Sequence, residues 1–138
     1  MSNDKKIPRT YNELFLDTGI DYVTKDSGVR QEYDSGMRRD TQDGKPAFGL
    51  ISPKEMPYRL QALTRWAMLM TRGADKYGIR NWEKADSPEE LERFRESAYR
   101  HFMQWYCGEN DEDHMAAVMF NLNAAEYVKY RIAEKPSR

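Results

Sequence analysis

The chain has 138 residues, a length for one domain, and its 22 Lys and Arg against 23 Asp and Glu leave a formal net charge of -1. So balanced a composition excludes bulk neutralisation of phosphates as the basis of binding, while leaving room for a small basic pocket. With 9 Tyr, 5 Phe and 3 Trp the chain is too aromatic for disorder, and it reads as a compact domain with a modest core, polar tails and a tendency to self-associate.

The single cysteine, Cys107, excludes an intrachain disulfide and a Cys-rich zinc knuckle. No apolar run approaches the roughly 18 residues of a membrane span, and the start MSNDKKIPRT lacks the apolar stretch of a secretory signal. The expected location is the cytoplasm.

Residues 1–50 contain Gly19, Gly28, Gly36, Gly44 and Gly49 and sustain no period of 3.6 or 2. They are predicted to form an irregular flap or arm, with a short ordered piece at Tyr11–Leu16. Residues 51–138 read as a helical core. Ser52-Pro53-Lys54-Glu55 has the form of a capping box, but Pro57 cannot donate to the preceding turn. A short turn and then a helix over about 58–75 follow, with Leu60, Leu63, Ala67, Met70 and Ala74 on one face and a stop near Lys76-Tyr77-Gly78.

After the connection GIRNWEKAD, Ser87-Pro88-Glu89-Glu90 starts a second helix over about 88–107. Its stripe is Leu91, Phe94, Ala98, His101 and Trp105, and Gly108 ends it. The acidic turn ENDED leads to a third helix over about 113–133, with Ala117, Phe120, Ala124, Tyr127 and Val128 on its apolar face. Two long helices across a short turn make an αα-hairpin, and the first helix covers one side. The predicted fold class is all-α: a helical bundle built on that hairpin, with an irregular N-terminal third.

Gly108-Glu109-Asn110-Asp111-Glu112-Asp113-His114 is the densest polar constellation, four carboxylates and an imidazole in a row. Like charges this close repel, and oxygen ligands suit Mg²⁺ or Mn²⁺. The other reading is helix-start chemistry, with Asn110 or Asp111 as the cap and acids answering the helix dipole. There is no EF-hand loop, no HExxH and no histidine followed directly by aspartate. His101 sits on the apolar side of its helix and reads either as a core histidine or as a member of the acidic site. Asn121 shares a stripe with His114 and reads either as a packed amide or as a contact to a base or ribose.

Arg72-Gly73-Ala74-Asp75-Lys76-Tyr77-Gly78-Ile79-Arg80-Asn81-Trp82 is a second cluster. Lys76 and Arg80 offer charge to phosphate, Asn81 an amide, and Tyr77 and Trp82 rings for stacking. Helix capping and core filling are the alternatives. Arg38-Arg39-Asp40 and Gly44-Lys45-Pro46 form a third cluster, which is not a Walker A loop. A helical nucleic-acid-binding protein and a non-enzymatic adaptor are the competing function classes, and the missing basic stripe disfavours the former.

Together the pieces are similar to small proteins common in phages and prophages, the dATP/dGTP diphosphohydrolases, which look distantly related to the all-α nucleoside-triphosphate pyrophosphohydrolases. The resemblance is carried by Ser35-Gly36-Met37-Arg38-Arg39-Asp40, Gly44-Lys45-Pro46, Gly73-Ala74-Asp75-Lys76-Tyr77-Gly78 and Arg80-Asn81-Trp82. It continues through Ser97-Ala98-Tyr99-Arg100-His101-Phe102, Gly108-Glu109, Asp111-Glu112-Asp113-His114 and Phe120-Asn121. It implies hydrolysis of a purine deoxynucleoside triphosphate, dGTP or dATP, to the monophosphate and pyrophosphate. It also implies Mg²⁺, with Mn²⁺ as the alternative, and a homo-oligomer, dimer or tetramer.

The broader family carries E-x-x-E and a later E-x-x-D on its helices. Here Glu109-x-x-Glu112 matches the first form without an E-x-x-D after it, and Glu89-x-x-Glu92 is an upstream pair. On this resemblance Glu109, Glu112 and His101 are catalytic, and Glu109, Glu112, Asp113 and His114 bind metal. Arg39, Lys45, Lys76, Tyr77, Arg80, Asn81, Trp82 and Asn121 contact the nucleotide. If the first helix runs antiparallel to the second, residues 76–82 lie far from the acidic turn, and a neighbouring subunit is expected to supply Lys76, Arg80 and Asn81.

Overall fold

A computed structural model describes residues 26–135. The chain divides into two compact units, Met1–Ala47 and Phe48–Arg138. The piece expected at Tyr11–Leu16 lies outside the described residues.

In the first unit, strands β1 (Arg30–Glu32) and β2 (Arg38–Asp40) pair antiparallel, with Arg30 opposite Asp40 and Gln31 opposite Arg39. The Gly36 N–H donates to the Tyr33 carbonyl at 2.8 Å, and Gly36, at φ 86°, supplies the left-handed residue such a turn needs. Asp40 ties the open end by accepting from the backbone N–H and hydroxyl of Ser27 and lying 3.8 Å from Lys45. Asp26 grips Arg30 at 2.6 Å; that bond, with one from the Gly28 N–H, holds the Asp26 carboxyl down at about 2. The sequence suggested only irregular chain here. Strands of three residues, exposed on nearly every side, are too short to print an alternating pattern.

The second unit holds three α-helices: α1 (Ala62–Tyr77), α2 (Pro88–Tyr106) and α3 (His114–Glu134). Helix α1 starts later than expected. Beyond Pro57 the chain makes a tight turn over Tyr58–Leu60, and Gln61 is extended. The Gln61 amide donates to the carbonyls of Pro53 at 3.1 Å and Met56 at 3.0 Å, tethering the loop ahead of the helix.

Helix α2 opens on a reciprocal cap. The Ser87 hydroxyl accepts from the Glu90 N–H at 3.2 Å, while the Glu90 carboxylate accepts from the Asp86 N–H at 3.1 Å. It closes on a paired stop, Gly108 N–H to the Trp105 carbonyl at 3.1 Å and Glu109 N–H to the Gln104 carbonyl at 3.0 Å, around Gly108 at φ 80°. The cap of α3 is Asp113, which accepts from the Ala116 N–H at 3.1 Å. The turn thus runs past Asn110 and Asp111, the expected caps, before the helix opens.

Helix α3 is central. It packs along α2 as the hairpin and also against α1, whereas α1 and α2 have no comparable contact with each other. Buried Ala116, Ala117, Ala124 and Ala125 let its backbone approach both neighbours, and Val128 is its largest fully buried side chain. Arg65 of α1 binds Asp113 at the start of α3, and Arg131 near its end donates to the Glu83 carbonyl at 2.6 Å. Helix α1 therefore runs parallel to α3 and antiparallel to α2. Between these clamps Trp82 meets Tyr127 edge-on at 5.4 Å, and Phe94 of α2 meets Phe120 at 5.9 Å.

With α3 as their common neighbour, the outer helices keep much of their apolar stripes uncovered. Leu60, Leu63 and Ala67 of the stripe expected on the first helix are exposed, as are Tyr99, Phe102, Met103, Trp105 and Tyr106 on α2. The first helix thus lies along α3 instead of closing over the hairpin.

Two glycines of this unit, Gly108 at positive φ and Gly73 within a helix, should respond oppositely to alanine. Gly108→Ala forces a side chain into a left-handed stop and should cost about 1 kcal/mol. Gly73→Ala, inside α1 with open space where its Cβ would stand, should gain about 0.5–1 kcal/mol. Urea denaturation of both variants checks this, and a shift of the same sign in the two would contradict the assignment.

Candidate functional site

Two stops and a cap bring the polar groups together. The paired stop after Tyr106 turns the chain, Asp113 restarts it, and His114, the first residue of α3, lands beside His101 of α2. Their Nδ1 atoms are 2.9 Å apart. His114 is 2% exposed and His101 half-buried. The Nε2 of His114 lies 2.8 Å from Oδ1 of Asp111. With both rings neutral this chain of contacts fixes the hydrogens. The Asp111 carboxylate can only accept, so His114 donates from Nε2 and accepts at Nδ1. His101 then donates from Nδ1 and keeps its lone pair on Nε2.

The electrostatics agree with that arrangement. Burial, and then the charge of Arg100, push the His101 imidazole below its ordinary value against the pull of Glu112, so the ring is neutral at pH 7. The bond from His114 holds the Asp111 carboxyl low. Asp113 binds Arg65 through both oxygens, Nε at 2.8 Å and Nη2 at 2.7 Å. That ion pair, with the Ala116 N–H, holds its carboxyl below the usual range despite partial burial.

Two groups of side chains have ligand atoms within 4.8 Å of one another: His101, Glu112 and His114, and Glu109, Asp111 and His114. Of the expected metal ligands, Glu112 shares the first group with His114 and the expected catalytic His101, and Glu109 shares the second with His114; the two glutamates share neither. Glu109 is steadied by the Gln104 amide at 2.9 Å. Asp113 is not in either group, because both of its oxygens serve Arg65 and one also caps α3.

The expected nucleotide contacts of the second unit lie away from the turn. Lys76 and Tyr77 end α1, Arg80 pairs with Glu83, Asn81 opens the tight turn Asn81–Lys84, and Trp82 joins the ring cluster with Phe120 and Tyr127. At about 1.5 Å per residue the step along α3 from His114 to Tyr127 is roughly 20 Å. Asn121 is enclosed in α3 and donates to its own Ala117 carbonyl at 2.8 Å. Arg39 and Lys45 belong to the first unit, where Arg39 pairs with Gln31 across the hairpin and Lys45 lies by Asp40.

Sequence reasoning passed over two members. Asp111 had a signal in its spacing of three from His114. Arg65 had none, since its partner is 48 residues away.

Among the described residues no helix is long and apolar enough to cross a membrane. The class this chain falls in is that of the nucleotide hydrolases. Residues 35–136 match the family described as dATP/dGTP diphosphohydrolase, N-terminal, and the chain belongs to that family. No curated protein and no solved structure matches it.

The Arg65–Asp113 pair makes a pH-dependent prediction. The folded carboxyl is depressed, so its contribution is present above the unfolded value of about 3.9 and is lost as pH falls through the lower folded value. Arg65→Leu should cost about 1 kcal/mol at pH 7, kept small by solvent screening, and less near pH 2. Asp113→Ala should cost about 1–2 kcal/mol at pH 7 because the cap goes too. Denaturation at both pH values decides it; a pH-independent Arg65→Leu deficit would contradict the ion pair.

Proposed function

We propose that this chain hydrolyses dGTP and dATP to the monophosphate and pyrophosphate at the turn between α2 and α3, with Mg²⁺, or Mn²⁺ in its place. The observation that carries this reading is the meeting of His101, His114 and the carboxylates of Asp111, Glu112 and Glu109 in a member of this family. The donors suit a divalent ion in two overlapping sets, His101, Glu112 and His114, and Glu109, Asp111 and His114, with Asp113 as the anchor of His114. When bound, such an ion screens phosphate charge and lowers the pKa of water.

The chain's own groups supply the rest. Water attacks the α-phosphorus, its oxygen stays with the monophosphate, and the bond to the α–β bridging oxygen breaks. Glu112, exposed at the mouth of the site, accepts the water's proton. Lys76 and Arg80 steady the pyrophosphate as charge builds on it, Tyr77 or Trp82 stacks on the base, and Asn81 reads its edge.

A second copy of the chain supplies residues 76–82. The uncovered apolar side chains of α1 and α2 favour a homo-oligomer, a dimer or tetramer. A partner laid antiparallel on that face brings its cationic end to the acidic turn.

Incubation with each dNTP and NTP plus Mg²⁺, followed by product separation, tests the reaction. Monophosphate with pyrophosphate is expected from dGTP and dATP, with turnover lowered about 100-fold or more in Glu112→Gln. Orthophosphate release, or no turnover of any nucleotide, would overturn the proposal. Mixing inactive Lys76→Ala with inactive Glu112→Gln subunits should restore part of the activity. No recovery under confirmed subunit exchange would refute the shared pocket.

A further inference from the structure

We infer that His101, His114 and Glu112 form a centre for a divalent transition-metal ion, selective for Mn²⁺- or Co²⁺-like ions over Mg²⁺. The inference deepens the proposed hydrolase by naming the class of ion, and rests on that reading for the centre's use but not for its existence.

Three features of the chain point to it. The ligand atoms of the three side chains lie within 4.8 Å of one another, on two elements that the hairpin turn holds in register. Asp111 lies 2.8 Å from Nε2 of His114, and in the tautomer with its hydrogen on that Nε2 the ring's lone pair is on Nδ1, facing His101. An outer carboxylate that fixes the tautomer in this way is the usual support of a metal-binding imidazole. The two facing nitrogens, 2.9 Å apart, are close to the about 3.0–3.4 Å that separates neighbouring nitrogens each about 2.1 Å from one ion. A rotation of the half-exposed His101 ring admits the ion in place of the proton that the rings share.

The donor type sets the selectivity. Mg²⁺ prefers oxygen and releases its water reluctantly, whereas Mn²⁺, Co²⁺ and Zn²⁺ accept imidazole nitrogen. Two imidazoles and one carboxylate leave coordination positions for water and for a phosphate oxygen. The buried His114 and the capped start of α3 keep the donors from spreading to suit a hydrated Mg²⁺.

Titration of Co²⁺ alone into the tag-free full-length chain, followed by visible absorption, tests this, with Mg²⁺ titrated calorimetrically for comparison. One Co²⁺ per chain is expected, bound at least tenfold more tightly than Mg²⁺. His101→Gln and Glu112→Gln alter exposed or half-exposed positions, and circular dichroism checks their folding. Each should weaken Co²⁺ at least tenfold, and His101→Gln should leave Mg²⁺ affinity within about twofold. Co²⁺ bound no more tightly than Mg²⁺, or bound equally by wild type and His101→Gln, would overturn the inference. Tight Co²⁺ binding without nucleotide turnover would sink the hydrolase reading and leave the centre standing. Turnover with Mg²⁺ that His101→Gln retains in full, together with Co²⁺ bound no more tightly than Mg²⁺, would do the reverse.

Discussion

Asp113 joins α1 and α3 of the second unit at one carboxylate. It caps α3 through the Ala116 N–H, and it takes both arms of the Arg65 guanidinium from α1. Because the next residue is His114, the ion pair that sets the direction of α1 also sets where the buried imidazole stands. Moving Asp113 by one residue would turn His114 about 100° around the helix, away from His101. A carboxylate with both oxygens committed in this way makes a poor metal ligand and a good anchor, which separates it from its four polar neighbours in the turn.

The second constraint is the thinness of the core. Alanines at 116, 117, 124 and 125 let the helices approach closely, but they bury little area each, and the large apolar side chains stay on the outer helices. The edge-on contacts of Trp82, Phe94, Phe120 and Tyr127 hold α3 to its neighbours away from the turn, while Phe102, Trp105 and Tyr106 pair with one another on the exposed face of α2. The polar end is left to hydrogen bonds and charge. One end of the bundle is thus held by packing and the other by the groups that would do chemistry.

Much of the fold was legible because its signals are local. Ser87-Pro88 with Glu90, Gly78 and Gly108 mark helix ends through bonds of three to five residues, and the stripe Leu91, Phe94, Ala98 and His101 follows the helical period. The start of α1 was misplaced because Gln61 tethers a loop, a tertiary use of a side chain that no pattern displays. The hairpin in the first unit was missed because three exposed residues per strand carry no period. At the site, the acids and His114 stood out as a cluster, and His101 by its position on the helix. Their division into donors and anchor depended on Arg65, whose meeting with Asp113 spans 48 residues. The distance from the acidic turn to residues 76–82 followed from helix direction alone, once α1 was antiparallel to α2.

The central claim is that nucleotide and ion meet at the imidazole pair. Pulsed electron paramagnetic resonance on substoichiometric Mn²⁺, with the chain and a dGTP analogue that cannot be cleaved between its α- and β-phosphates, tests it most directly. The account predicts nitrogen coupling from the imidazoles and phosphorus coupling from the nucleotide on the same ion, with the nitrogen coupling reduced in His101→Gln. Phosphorus coupling without nitrogen coupling would place the nucleotide-bound ion elsewhere and contradict it.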